Sequence, residues 1–134
     1  MRVLGIDWGA RRTGLALSDP LGMTCSPLHV LEERDGERLL LRIMEVAGEQ
    51  DVKEMVVGLP RPLAGRTNRQ LEAVLEFVAT LRCRVGMSVT TWDERFTSKL
   101  AERGRSPRRA QDSVAACYML QDYLEHRART PGEA

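Results

Sequence analysis

Three places in this 134-residue chain carry acids where metal-assisted hydrolysis would need them. Asp7 ends the run Val3-Leu4-Gly5-Ile6. Asp93 and Glu94 end the run Val89-Thr90-Thr91-Trp92, and Asp112 stands near the start of a last segment in which Ala115, Ala116 and Met119 recur at helical spacing. Gathered at one edge, such carboxylates repel one another and are costly to bury. A divalent cation is the usual resolution. Oxygen ligands without His or Cys favour Mg²⁺ or Mn²⁺ over zinc, and two such ions can activate a water and stabilise a leaving oxygen in phosphodiester cleavage. Each acid also has a purely local reading. Asp7 can be a turn residue before Trp8-Gly9, Glu94 the reciprocal partner of Thr91 in a capping box, and Asp112 a favourable charge on a helix N-terminus. Asp93 competes with Glu94 as the ligand, because adjacent strand residues point to opposite faces.

The elements that must position these acids follow from periodicity. Arg2 to Trp8 alternates as a strand, and Thr13 to Ser18 follows closely enough to be its antiparallel partner. Asp19-Pro20 and Gly22 mark a turn, and Thr24 to Leu31 reads as a third strand despite Pro27. After Asp35-Gly36, the residues Leu39, Leu40, Ile43, Met44 and Ala47 have the spacing of an amphipathic helix. Lys53 to Leu59 reads as a buried parallel strand, and Leu71, Val74, Leu75, Val78 and Leu81 as a second helix. Val85 to Trp92 makes a fifth strand, Thr97 to Arg103 a short helix, and Ser106-Pro107 starts a last helix running to about His126. The expected fold is α/β: a mixed five-stranded sheet, a three-strand antiparallel meander followed by α-β-α-β-α, with helices on both faces. Residues 1–127 form one domain in this reading, and 128–134 a frayed tail. In such sheets ligands gather at the carboxyl ends of the parallel strands, which is where Asp7, Asp93 and Glu94 lie.

Composition narrows the function classes. Hydrophobic residues make up 43% and charged residues 29%, a globular profile rather than a disordered one. No apolar run approaches the roughly 18 residues of a membrane span, and the N-terminus enters a strand directly, with no signal peptide. Cys25, Cys83 and Cys117 form no CxxC and read as buried thiols of a reducing, cytoplasmic setting. The net charge of +1 hides a polarised distribution. Between residues 95 and 109 six cations (Arg95, Lys99, Arg103, Arg105, Arg108 and Arg109) face the single anion Glu102, whereas residues 32–54 hold eight acids and four bases. Arg11 and Arg12, and then Arg61, Arg66 and Arg69, add cations near the predicted acidic edge. Such a chain can present a basic face to a polyanion without being basic overall.

Gly5-Ile6-Asp7-Trp8-Gly9, then Arg11-Arg12-Thr13-Gly14-Leu15-Ala16 and Ser18-Asp19, resemble the opening motif of the YqgF (RuvX) family. Val56-Val57-Gly58-Leu59-Pro60, Asp93-Glu94-Arg95-Phe96-Thr97-Ser98, and Asp112 with Ala115-Ala116 are similar to its later blocks, in order and spacing, from residue 3 to about 125. The resemblance implies a ribonuclease H-like fold and a metal-dependent endonuclease using Mg²⁺ or Mn²⁺. Asp7, Glu94 and Asp112 carry over as the acidic, metal-binding triad, and Arg11, Arg66, Arg95, Lys99, Arg108 and Arg109 are the expected nucleic-acid contacts. Arg11 stands where Lys is more usual and Phe96 where Leu or Met is common; neither departure touches an acid. The implied substrate is the 5′ end of pre-16S ribosomal RNA, or a four-way DNA junction, bound by a monomer or a homodimer. Two other classes compete. Gly5-Ile6-Asp7-Trp8-Gly9 with Gly14 also resembles the phosphate-binding hairpin of sugar kinases and actin-like ATPases, which need two such domains. A non-catalytic nucleic-acid-binding module is the third.

Overall fold

The structure, a computed structural model, describes residues 1–60, 69–93 and 108–129, with the side chains of 108–112 outside the description. Five strands form one sheet: β1 (Arg2–Asp7), β2 (Arg12–Ser18), β3 (Cys25–Glu32), β4 (Val52–Leu59) and β5 (Ser88–Asp93). Their spatial order is β3-β2-β1-β4-β5, with the β1–β2 and β2–β3 pairs antiparallel and the β1–β4 and β4–β5 pairs parallel. The helices are α1 (Gly36–Glu49), α2 (Arg69–Arg84) and α3 (Arg108–Arg129). The expected mixed sheet with helices on both faces is therefore the observed one. The short helix read at Thr97 to Arg103 and the Ser106-Pro107 start signal lie outside the described residues.

Strict alternation along the strands sorts the core into two layers. Leu4 and Ile6 of β1, Met55 and Val57 of β4 and Val89 of β5 pack with Leu39, Leu40 and Ile43 of α1 and Val74, Phe77, Val78 and Leu81 of α2. On the opposite face Val3, Ala16 and Val56 pack with Ala116, Met119, Leu120 and Leu124 of α3. Gly5 makes that second contact close. A Cβ there would stand 3.0 Å from the Leu120 Cβ and 3.4 Å from the Ala116 carbonyl oxygen, so α3 rests almost on the β1 backbone. In α2 it is Phe77, not Leu75, that joins the core; Leu75 is exposed.

The strand read through Pro27 is present: Pro27 is tolerated because β3 is an edge strand, and a register shift opposite Leu15 and Ala16 skips Leu28. Two further expectations are revised. The helical end expected near His126, with a frayed tail after it, instead extends to Arg129. The physical reason is a partly buried network: Tyr123 Oη donates to Glu54 Oε2 at 2.5 Å, and Arg127 pairs with Glu54 Oε1 and lies over the Tyr123 ring. Glu54 is buried on β4, and these two donors compensate its charge. The second revision concerns the thiols: Cys83 is exposed, while Cys25 and Cys117 are half-buried. Among the described residues no helix is long and apolar enough to cross a membrane.

Asp19 organises the β2–β3 connection, its Oδ1 accepting from the Met23 and Thr24 amides at 2.7 and 3.0 Å. These bonds hold its carboxyl below the ordinary value of 3.8. A depressed folded value means the stabilisation is present above the unfolded value and is lost as pH falls through the folded one. Asp19→Asn is expected to keep the turn, since an amide oxygen can accept the same bonds, but to flatten the acid limb below about pH 4. Thermal melts of both proteins between pH 3 and 7 check this, and parallel acid limbs would exclude the assigned role.

Candidate active site at the carboxyl edge of the sheet

β1 and β4 run parallel, so their carboxyl ends share one edge, and Asp7 is the last residue of β1. Alternation puts Asp7 on the face of Val3 and Gly5, the face that α3 covers. Its cross-strand partner on β2 is Gly14. On the other side, Ile6 is paired with Val57, and the next residue of β4 is Gly58. Glycines thus flank Asp7 on both neighbouring strands. An open cleft of about 400 Å³, lined by residues 7–12 and Gln70, begins at this carboxylate.

The turn beneath the cleft is fixed by a close backbone approach. A Cβ on Gly9 would lie 2.2 Å from the Arg12 carbonyl oxygen, so only glycine fits this crossing of the chain. The buried Thr13 hydroxyl is 3.4 Å from both the Gly9 amide and its carbonyl oxygen. Trp8 lines the cleft and also packs against the α1–α2 core, its ring 6.2 Å from that of Phe77. Trp92 likewise packs, edge-on to Tyr123 at 5.7 Å and against His126 at 5.1 Å.

Asp112 lies in α3 one turn before Ala116, the residue whose carbonyl oxygen approaches Gly5. Asp7 lies two residues beyond Gly5 along β1. The helix runs from the carboxyl edge toward the opposite end of the sheet, where Arg127 meets Glu54, so the backbone at 112 is carried toward the Asp7 end. Asp93 is carried differently. It is in register with Leu59, which packs with the α1–α2 core, and it alternates with Trp92, which packs on the α3 side. Its backbone position therefore directs it to the face opposite Asp7. Glu94 lies outside the described residues, as do Arg66, Arg95 and Lys99. Arg108 and Arg109 belong to α3, with side chains outside the description. Of the expected nucleic-acid contacts Arg11 is the one whose side chain is described, and it is exposed at the cleft.

Two further basic or polar groups belong to this edge. Arg12 lines the same cleft, its Nε 3.6 Å from Glu32 Oε1. Beside it, Arg11, Arg12, Glu32, Glu33 and Arg34 line a second depression of about 360 Å³. Arg34 arrives because the Glu33 amide donates to the Arg11 carbonyl oxygen at 3.0 Å, closing the end of β3 onto the start of β2. Sequence reasoning did not place Gln70 or Arg34 here; neither has a local signal, and both are brought by long-range pairing.

The profile of the family described as "RuvX: Holliday junction resolvase" matches residues 1–126. The chain belongs to the RuvX family. Among its relatives, a protein of Desulforudis audaxviator named "Putative pre-16S rRNA nuclease" is 41% identical over 95% of this RuvX chain and 96% of its own. The protein of the same name from Symbiobacterium thermophilum is 38% identical over 100% of the chain and 99% of its own. The family description and the relatives' name are both those of nucleases, the function class reached from the acids of the sequence. Among solved structures, Thermus thermophilus RuvC in complex with a Holliday junction substrate has a TM-score of 0.65 at 18% identity over 97% of each chain, a likeness of fold. The ROK hexokinase of T. thermophilus aligns at a TM-score of 0.50 and 22% identity over 38% of its length. That shared fold accounts for the resemblance of the first hairpin to the kinase hairpin.

Proposed function

We propose that this chain is a divalent-metal-dependent endonuclease that trims the 5′ end of pre-16S ribosomal RNA, acting in the cytoplasm as a single domain. The observation that carries the substrate is the near-complete coverage at about 40% identity by relatives named for that reaction. The chemistry rests on Asp7 at the carboxyl edge, open to a cleft and flanked by glycines. The residues fit a hard cation: the described donor is a carboxylate oxygen, Cys25 and Cys117 lie elsewhere on α3 and β3, and His126 is packed on Trp92. Asp7, Glu94 and Asp112 would hold two Mg²⁺ or Mn²⁺ ions. When bound, the cation supplies Lewis acidity, acidifying the attacking water and offsetting charge on the leaving oxygen.

The protein's own groups supply the rest. The direction of Asp93 toward the α1–α2 face favours Glu94 as the partner acid of Asp7. Arg11, with Arg66, Arg95, Lys99, Arg108 and Arg109, would hold the flanking phosphates and fix the register of the strand without reading its bases. Gly9 and Gly14 let the backbone of the first hairpin lie close to a phosphate.

The family description and the RuvC fold favour a second reading, resolution of four-way DNA junctions by a homodimer. A cleavage assay separates the two. The protein is incubated with Mg²⁺ or Mn²⁺ and either a labelled pre-16S 5′ leader RNA or a labelled four-way DNA junction. Cutting confined to the RNA is the expected result. Paired symmetric nicks confined to the junction would replace it with the resolvase reading, and cleavage of neither would exclude both.

A further inference from the structure

We propose that Cys25 and Cys117 form a reversible dithiol–disulfide site within one chain, oxidised by a low-molecular-weight disulfide of the glutathione type. The two residues are 92 apart in sequence, yet their sulfurs lie 3.3 Å apart, one on the edge strand β3 and the other on α3. The Cys25 sulfur also lies 3.2 Å from the Cys117 carbonyl oxygen. A disulfide needs its sulfurs at about 2.05 Å, so they must close by little more than 1 Å. α3 already packs on this side of the sheet, over Val3, Ala16 and Val56, so the closure joins two elements that are already in contact.

The same contact makes the two thiols unequal. Donation from Cys25 stabilises the Cys117 thiolate and holds Cys117 below the ordinary thiol value of 9.0. That bond and burial push Cys25 above it. Cys117 is then the nucleophile. Its thiolate attacks one sulfur of the small disulfide and expels one glutathione thiolate, leaving a mixed disulfide on Cys117. Cys25 gives its proton to water and attacks the Cys117 sulfur, expelling the second glutathione. Two protein thiols are oxidised, one small disulfide is reduced to two thiols, and added dithiol reverses the exchange. Cys83, exposed on α2 across the sheet, is remote from both sulfurs.

The bond would staple α3 to the sheet edge five residues from Asp112. It closes a loop of about 90 residues, and cross-links over long loops constrain the unfolded chain most. The oxidised form should therefore be the more heat-resistant one. The test equilibrates the full chain with glutathione redox mixtures, blocks free thiols by alkylation, and reads the products by mass spectrometry and thermal melting. The expected result is a monomer with a Cys25–Cys117 cross-link and one alkylated thiol, Cys83. Its melting temperature should be raised by about 5–10 °C, and dithiothreitol should reverse this. Cys83→Ala should behave like the parent chain, and Cys25→Ala should give only a glutathione adduct with no rise. Glutathione adducts on both half-buried thiols, dimers linked through Cys83, or a cross-linked form that melts earlier would each overturn the proposal.

Discussion

Asp7→Asn is expected to lower the cleavage rate by about 10³-fold or more, roughly 4 kcal/mol of barrier, while leaving the fold intact. The substitution keeps the size and shape of the side chain at a half-exposed strand end, where Gly14 is the cross-strand neighbour. What it removes is the charge. An amide is a poor ligand for a hard cation, and the whole loss should therefore appear in the metal-dependent chemical step. Binding should move the other way or not at all. Removing a negative charge from a cleft that receives phosphates relieves repulsion, so affinity measured in chelator should equal or exceed that of the parent chain. Rates under single-turnover conditions, with anisotropy titrations in parallel, separate the two effects. Full cleavage by pure mutant protein would remove Asp7 from the site. A loss confined to affinity would make it a binding residue instead.

Leu120→Ala is expected to destabilise the chain by about 3–5 kcal/mol, the upper part of the range for buried leucines. Leu120 is fully buried, and its Cβ and Cδ2 stand over Gly5, which has no side chain to swing into the vacated space. The floor of the cavity is strand backbone held by pairing to β2 and β4, so it cannot collapse. A domain of ordinary stability, 5–15 kcal/mol, would lose a large part of its margin. Denaturant titration should show a lower midpoint at an unchanged slope. A loss under about 1 kcal/mol would mean that α3 is not held on β1 as described. The consequence reaches the site, because α3 is also the element that carries Asp112.

Much of this was legible in the residues, for identifiable reasons. Alternation in Arg2–Asp7 and the three-and-four spacing of Leu39, Leu40, Ile43 and Ala47 report which face of an element is apolar, and that is a local property. Boundaries were less legible where distant partners set them. Nothing local predicts that α3 runs on to Arg129; Glu54, 73 residues from Arg127, ties down its last turns. Phe77 displaced Leu75 from the core because the angle at which α2 lies on the sheet decides between neighbouring positions of one helical stripe. The strand through Pro27 is legible in the residues; that β3 is an edge, which lets a proline sit in it, is not.

The candidate site divides in the same way. Acid types, their places at the ends of apolar runs and the absence of His or Cys among them are properties of the chain alone, and they already point to a hard cation and phosphodiester chemistry. Which acids share a face is not. Asp7 is on the α3 face and Asp93 is directed to the other because pleat and register propagate from Gly5 and Leu59, residues that carry no chemistry. The meeting of Cys25 with Cys117 is the extreme case: neither residue has a local signal, and only the docking of α3 on the sheet brings their sulfurs to 3.3 Å. By itself the sequence determined the elements, the fold class and the kind of chemistry, because those depend on residue type and short-range period. The tertiary structure alone decided faces, partners and helix ends, because those depend on contacts between residues that are close in space and far apart along the chain.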